Sequence, residues 1–505
     1  MVEVTDAVAR PSELLTEARQ ALATFELDLA DSLATSAHHL RGGWAADQVL
    51  AEVLVRRCRY EQAAAVLPPA PPGSASLERR TRWAVTAAAI RYWGAGDVGG
   101  AEGVLAEVGG PVADAHRAGF VLLDGRPGAA LAGGEKVLRD PRAPAEASIP
   151  AIATVVVAAS VTGRFDRAAA AVDGGAPVAQ LGYVHCFALL VAGRVRDASK
   201  LAEDGYRKAV DAGNIAVAGG WAALRGLVAK ARGDLAATVA ALSAATRLLD
   251  GHDSCRMLAP CLAELAAAHA MSGDQPAAER TLQHAGRTDR LFAPWFELSR
   301  AWTTAAGGDA SLAVRQATAA ADLAMASGQF AVEAVARYDV ARLGDPKVAS
   351  RRLTELAAVV QGPLVPAQAA AATALARSDA AALDRATARF GELGFELLAA
   401  ETATAASALH RRAGRAFRAD QAAARAAAGP DAATPLLRLA TALIGLTRRE
   451  RDVALLAAAG LSSQTIGGHL RLSVRTVDNY LGRIYQKLGV MNRGDLGSLV
   501  DRHKP

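Results

Sequence analysis

The sequence predicts an all-α protein, a solenoid of helical hairpins followed by a compact four-helix unit. Three observations carry that prediction. Of the 505 residues, 51% are hydrophobic and alanine dominates, a composition that favours helix and can bury a large core. Along the first 430 residues a glycine, a polar residue and an alanine five positions after the glycine recur. The C-terminal segment from Leu446 divides into short amphipathic helices, each opened by a capping residue. A chain of this length exceeds one ordinary domain. The expected units are a helical solenoid over 1–428, a linker over 429–445 and the C-terminal unit over 446–505.

The repeated pattern stands at Gly96…Ala101, Gly125…Ala130, Gly163…Ala168, Gly193…Ala198, Gly273…Ala278, Gly308…Ala313 and Gly414…Ala419, with Gly233-Asp-Leu-Ala-Ala as a close variant. From Gly96 to Gly308 the successive spacings are 29, 38, 30, 40, 40 and 35 residues. Glycine near a helix end takes the left-handed conformation that stops it. A small alanine early in the next helix lets two backbones approach. One such pair cannot bury its own apolar face, so neighbours must stack. The pattern resembles degenerate tetratricopeptide repeats, which share the Gly-Asp-x-x-x-Ala turn; here the spacing is irregular and the consensus aromatic positions are mostly absent. No alternating β pattern persists for more than a few residues.

The repeats are expected to stop near Gly429-Pro430 and Pro435, because proline cannot continue a helix interior. Leu436 to Leu443 reads as one further short helix. The N-terminus lacks a basic segment followed by an apolar run, so no signal peptide is expected. The most apolar stretch, Ile149 to Val161, is shorter than the roughly 20 residues a membrane-spanning helix needs. Four cysteines, none in a C-x-x-C pair, read as reduced thiols. A cytoplasmic protein with no membrane association follows as the expectation.

Charge is segregated. From Leu446 onward there are ten basic residues against five acidic, while the rest of the chain carries 46 of each. A compact basic end on a neutral body is the electrostatic footprint of a nucleic-acid-binding unit.

Within that end, Thr447 and Glu450 form an S/T-x-x-E capping box, and Gly460 is a natural C-terminal stop. Ser462 or Ser463 opens a second helix with Ile466 and Leu470. Ser473 opens a third that reaches about Leu488, and Asn492 opens the last. In the third helix Val477, Leu481, Ile484 and Leu488 make one apolar stripe. Arg475, Asp478, Asn479, Gly482 and Gln486 occupy the opposite face, with Arg483 and Lys487 beside it. A short helix, a tight turn and a second helix with an exposed polar face are the parts of a helix-turn-helix, whose second helix enters the major groove. Serine-capped N-termini suit phosphate.

At these residues the segment resembles the LuxR/FixJ-type DNA-binding domain. Leu446, Thr447, Arg449, Glu450, Val453, Gly460, Ser462, Ile466, Leu470, Leu472, Ser473, Thr476, Val477, Ile484, Lys487, Leu488, Val490 and Arg493 match its pattern. The resemblance implies a four-helix LuxR-type helix-turn-helix that binds double-stranded DNA as a homodimer, with dimer contacts from the last helix. The residues placed at DNA are Ser462, Ser473, Arg475, Thr476, Asp478, Asn479, Arg483 and Lys487. Four positions depart from the family. Many members carry Lys or Arg just after the Thr-Val pair and again four residues later, where this chain has Asp478 and Gly482. Asp478 facing a base edge could accept from a cytosine amino group, and Asn479 could read adenine. Tyr480 stands where histidine is common and Gly467 where a small alanine is usual.

The stretch from Ala376 to Ala428 is similar to the helical region preceding the DNA-binding domain in the large ATP-binding LuxR regulators of actinobacteria. The sequence holds no G-x-x-x-x-G-K-[ST] motif, which a P-loop needs for its phosphates, so a relative without the ATPase is expected. No catalytic residues, cofactor or metal are expected. His252, Cys255, Cys261 and His269 match no common zinc spacing. His185-Cys186 is no dyad, since adjacent helical residues point apart. Trp83, Tyr92, Trp93, Trp221, Trp295 and Trp302 read as core, with an effector cavity as the alternative for some of them. The functional expectation is a DNA-binding transcriptional regulator whose repeats sense a small-molecule effector or a protein partner. The alternative is a protein-interaction scaffold or adaptor with weak or vestigial DNA binding.

Overall fold

The computed structural model describes residues 10–501 apart from 175–180, 254–255, 287, 430–431, 438–447, 459 and 489; at 448, 451, 455, 487–488 and 498–501 it describes the backbone alone. The described residues are overwhelmingly helical and contain no strand, as expected. None of their helices is long and apolar enough to cross a membrane.

Each hairpin is built by the chemistry its turn sequence encodes. The eight motif glycines all adopt positive φ, from +68° at Gly96 to +94° at Gly308. At Gly125 the glycine N–H donates to Leu122 O (2.9 Å) and the next N–H, of Arg126, donates to Val121 O (3.1 Å), the paired closure that satisfies orphan carbonyls at a helix end. The polar residue after the glycine opens the next helix: Asp234, Asp274 and Asp309 accept from the N–H groups of Ala237, Ala277 and Leu312 at 2.9, 3.1 and 2.9 Å. Such a cap contributes about 1 kcal/mol. The alanines five positions on, Ala101, Ala130, Ala168, Ala198, Ala278, Ala313 and Ala419, are at most 2% exposed. Where Thr238 replaces alanine it is also fully buried, and its hydroxyl donates to Asp234 O at 2.6 Å.

The same device occurs at turns the pattern did not reveal. Gly213, Gly344 and Gly394 precede buried Ala218, Ala349 and Ala399. Phe25, Arg41, Cys58 and Ser378 take the glycine's place with φ of 61°, 54°, 60° and 54°, followed five residues later by buried Ala30, Ala46, Ala63 and Leu383.

Twelve hairpins result among the described residues, each pairing an inner with an outer helix. The inner helix Phe330–Leu343 is buried nearly all round, with twelve of its fourteen residues buried. Outer helices bury one stripe: in Ala310–Ala326, five of seventeen. This is the difference expected between a helix packed on all sides and one facing solvent.

The stack coils and returns upon itself. Asn214 donates to Thr24 O at 2.7 Å, Arg256 to the Tyr60 hydroxyl at 2.8 Å, Trp93 Nε1 to Asp289 at 3.3 Å, and the Gln361 N–H to Gly163 O at 3.0 Å. These partners lie 190–198 residues apart in sequence, so the second superhelical turn begins one stack of hairpins after the first and rests on it. Gly163 lies at this seam with φ +78°; an added Cβ would stand 2.8 Å from Val360 Cγ1.

Two cavities lie along the inner helices. The first turn encloses a cleft of about 640 Å³ bordered by Arg19, Arg56, Arg82, Arg142 and His116. The second turn closes more tightly, leaving about 210 Å³. At its wall Arg342 donates to both carboxylate oxygens of Glu401 (2.7 and 2.9 Å) and to Asp339 (2.7 Å), while Trp302 Nε1 donates to Asp339 at 2.9 Å. Burial alone would lower the Arg342 guanidinium pKa, but Glu401 and Asp339 hold it above its ordinary value. Beyond the outer helix Ala416–Ala427, Ala432 and Leu437 pack against the second-turn core and the Ala433 N–H donates to Met271 O at 2.7 Å. Residues 435–437 are helical, and the rest of the expected short helix to Leu443 lies outside the described residues.

Candidate nucleic-acid interface

Four helices form the C-terminal unit: Arg448–Ala458, Ser463–Leu470, Val474–Leu488 and Arg493–Asp501. Their core joins Val453, Ala454, Ala457, Ile466, Val477, Leu481, Ile484 and Leu496. Thr447 and the side chain of Leu488 lie outside the described residues; Glu450 is buried.

The turns follow from the residues that make them. Gly460, with φ +82°, ends the first helix. Ser462 opens the second, its hydroxyl accepting from the Thr465 N–H at 3.1 Å. That helix ends on Arg471 at φ 54°, and the Leu472 N–H donates to Gly467 O at 2.9 Å. Gly467 is required by this closeness: an added Cβ would stand 2.6 Å from the Leu472 carbonyl oxygen. Arg449 donates to the Leu470 carbonyl at 2.9 Å, a cation on the helix's C-terminal end. Ser473 opens the third helix, accepting from the Thr476 N–H at 3.1 Å, and the Ser473 and Thr476 hydroxyls bond to each other at 2.7 Å. Asn492 opens the fourth, accepting from the Asp495 N–H at 2.9 Å.

The third helix is strongly two-faced. Val477, Leu481 and Ile484 are buried, whereas Arg475, Asp478, Asn479, Gly482, Arg483 and Gln486 are exposed on the other side. The side chain of Lys487 lies outside the described residues. The serines and Thr476 therefore sit at two helix N-termini on the same side of the turn, with their hydroxyls engaged in capping. Asp478, although exposed, is tied down: the Ser463 hydroxyl donates to its carboxylate at 2.7 Å, and Arg493 donates to Ser463 Oγ (3.0 Å) and to Leu461 O (2.9 Å). An arginine of the fourth helix thus holds the second helix against the third, through a serine that engages Asp478. Reading single helices missed this brace. Its only sequence signal was the coexistence of a buried-side arginine, a second serine beside the cap and an acid one turn into the third helix.

A short helix, a tight turn and a helix that projects an exposed polar face define a helix-turn-helix. Residues 445–500 match the family described as bacterial regulatory proteins, luxR family; this unit is a LuxR-type helix-turn-helix domain. None of the curated proteins matches the chain. Among solved structures, the chain is similar to one in the APC/C hetero-tetramer Cut9-Hcn1 (TM-score 0.42, 13% identity, 84% of this chain and 88% of that chain covered). It is also similar to the Rap protein complexed with competence and sporulation factor (TM-score 0.42, 11% identity, 75% and 99% covered).

The other sites weighed from sequence take structural positions. Cys186 is buried, its Sγ donating to Ala198 O at 3.4 Å, and burial pushes its thiol up to about 12. Cys261 is buried and His252 lies 3.4 Å from Asp28, while Cys255 falls outside the described residues. Trp83 donates to Pro68 O at 2.8 Å, and Trp221 packs on Tyr183 with ring centroids 4.7 Å apart. Trp295 and Trp302 line the second-turn cavity.

Proposed function

We propose that the protein is a DNA-binding transcriptional regulator, not an enzyme, in which the helical repeats govern the helix-turn-helix. The observation that carries this reading is the exposed polar face of Val474–Leu488, held on a braced core in the basic end of the chain. Arg475, Asn479 and Arg483 would meet base edges or phosphates, and Lys487 would add a phosphate contact. The capped N-termini at Ser462 and Ser473, with Thr476, would approach the backbone. Asp478 would act mainly by setting the angle of the third helix through Ser463. A homodimer would place two such helices on two half-sites, and the solenoid, over 1–428, would bind an effector or a partner. Such a protein would work in the cytoplasm without cofactor.

Incubating the full-length chain with genomic DNA fragments at two salt concentrations, and sequencing what is retained, tests the reading. Enrichment of a two-half-site sequence that weakens with salt is expected. Arg475→Ala and Arg483→Ala should each weaken retention by about tenfold. Absence of any enriched sequence at low salt would transfer the conclusion to an adaptor, a reading that the acid and glycine at 478 and 482 favour.

A further inference from the structure

The second-turn cavity lies where seven inner helices converge: Gly182–Val191, Ile215–Arg232, Leu258–Met271, Ala293–Ala306, Phe330–Leu343, Leu364–Arg377 and Glu396–Arg412. Every one of them is the inner member of its hairpin, so the cavity occupies the axis of the superhelix. Its wall is largely apolar and aromatic, with Phe187, Trp295, Leu298, Trp302, Leu364 and Phe395.

Two of the polar groups on that wall stand apart from the rest. Tyr338 is 1% exposed and Gln368 3% exposed, yet the Tyr338 hydroxyl and Gln368 Oε1 have no hydrogen-bond partner among the described residues. Leaving a buried polar group unpaired costs about 1–3 kcal/mol, and two such groups on one cavity wall is the arrangement of a site that awaits its own partner. The charged groups at the same wall are already matched. Arg342 is held by Glu401 and Asp339, and Lys230 by Glu264. A charged guest would find no free counter-ion and would lose its hydration.

We propose that this axial cavity binds a small uncharged molecule, one ring in size, bearing a single hydroxyl or carboxamide. The group would donate to Gln368 Oε1 and share a hydrogen bond with the Tyr338 hydroxyl, while the ring would lie among Trp295, Trp302 and Phe395. The cavity's 210 Å³ suits that size, since an apolar cavity of about 150 Å³ accommodates benzene. This inference names the ligand class for the sensing role proposed above, and it rests on that reading only for its consequence at DNA.

The test uses the full-length chain and no DNA, so its failure is distinct from failure of the regulator reading. Phenol, benzamide, toluene, benzoate and benzylammonium are titrated while the thermal midpoint and the heat of binding are recorded. Phenol or benzamide should raise the midpoint saturably, with toluene weaker and both ions without effect. Tyr338→Phe and Gln368→Leu should each weaken that binding about fivefold, the loss of one hydrogen bond. Without ligand, Tyr338→Phe should leave the midpoint unchanged, because its hydroxyl has no partner to lose. A marked fall in that midpoint would overturn the proposal, as would an equal response to the ions, undiminished binding by both variants, or no saturable response to phenol and benzamide.

Discussion

The two superhelical turns are made of the same hairpins and filled differently. In the first turn the apolar residues gather in separate groups, one around Val49 and Val53 and another around Tyr92 and Leu105, and the axis is a wide cleft bordered by arginines. In the second one large core runs from Cys186 to Ala399, with smaller groups around Leu242 and Leu383 beside it, and Arg342, Glu401 and Asp339 near the axis are bonded to one another and buried. Turn chemistry makes a hairpin, but the bulk and pairing of inner-helix side chains decide whether the axis is open or plugged.

Removing the carboxylate that anchors the plug should show the contrast most strongly. Glu401→Ala leaves Arg342 buried with one counter-ion, and breaking such a pair costs about 3–5 kcal/mol. Thermal unfolding with hydrogen exchange should locate the loss in Glu396–Arg412 and its neighbours. In the first turn Arg142→Ala removes an ion pair whose arginine side chain is 88% exposed, and stability should stay within about 0.5 kcal/mol. Equal losses would mean the two turns are held alike.

A second contrast is acidity. Burial depresses the His116 imidazole, at the first-turn cleft, from 6.5 to about 4. Between those values the unfolded chain binds a proton that the folded chain refuses, so stability falls as pH drops from 6.5 towards 4, by roughly 1–3 kcal/mol. Burial raises Asp253, at the seam, to about 6, which works in the opposite sense: its contribution grows as pH falls through 6. Comparing midpoints of the wild type and His116→Leu across pH 7 to 4 isolates the histidine, and parallel curves would remove it from the account.

A smaller gain concerns the hairpins the two turns share. Ser378 is exposed and holds φ 54°, a conformation that costs an L-residue about 1 kcal/mol or more. Ser378→Gly should raise stability by somewhat under 1 kcal/mol after the added chain entropy of glycine, measured by denaturant unfolding.

These residues also mark where the sequence was legible. Gly-Asp-x-x-x-Ala announces a turn because three physical needs, a left-handed residue, a cap and a small contact, fall at fixed offsets. Phe25, Arg41, Cys58 and Ser378 meet the first need without glycine, so their turns were invisible to a pattern anchored on it. In the C-terminal unit the caps at Ser462, Ser473 and Asn492 and the stripe of Val477, Leu481 and Ile484 were readable because both are local. The Arg493–Ser463–Asp478 brace was not, since it joins three helices. Nor was the return of the stack: contacts such as Asn214 with Thr24 depend on small rotations accumulated over every intervening hairpin. Glu401 and Glu264 carried a faint sign, isolated acids in alanine-rich helices, but nothing in one helix says that it is an inner one.

The seam has an evolutionary consequence. Tandem-repeat proteins ordinarily gain or lose length by duplicating or deleting a unit anywhere along the array. Here a unit inserted anywhere between Thr24 and Gln361 breaks at least one of the four seam bonds, and one inserted between Gly163 and Asn214 carries all four pairs out of register. The interior of the array is therefore frozen in number, and inheritance can change its length only at the two extremities.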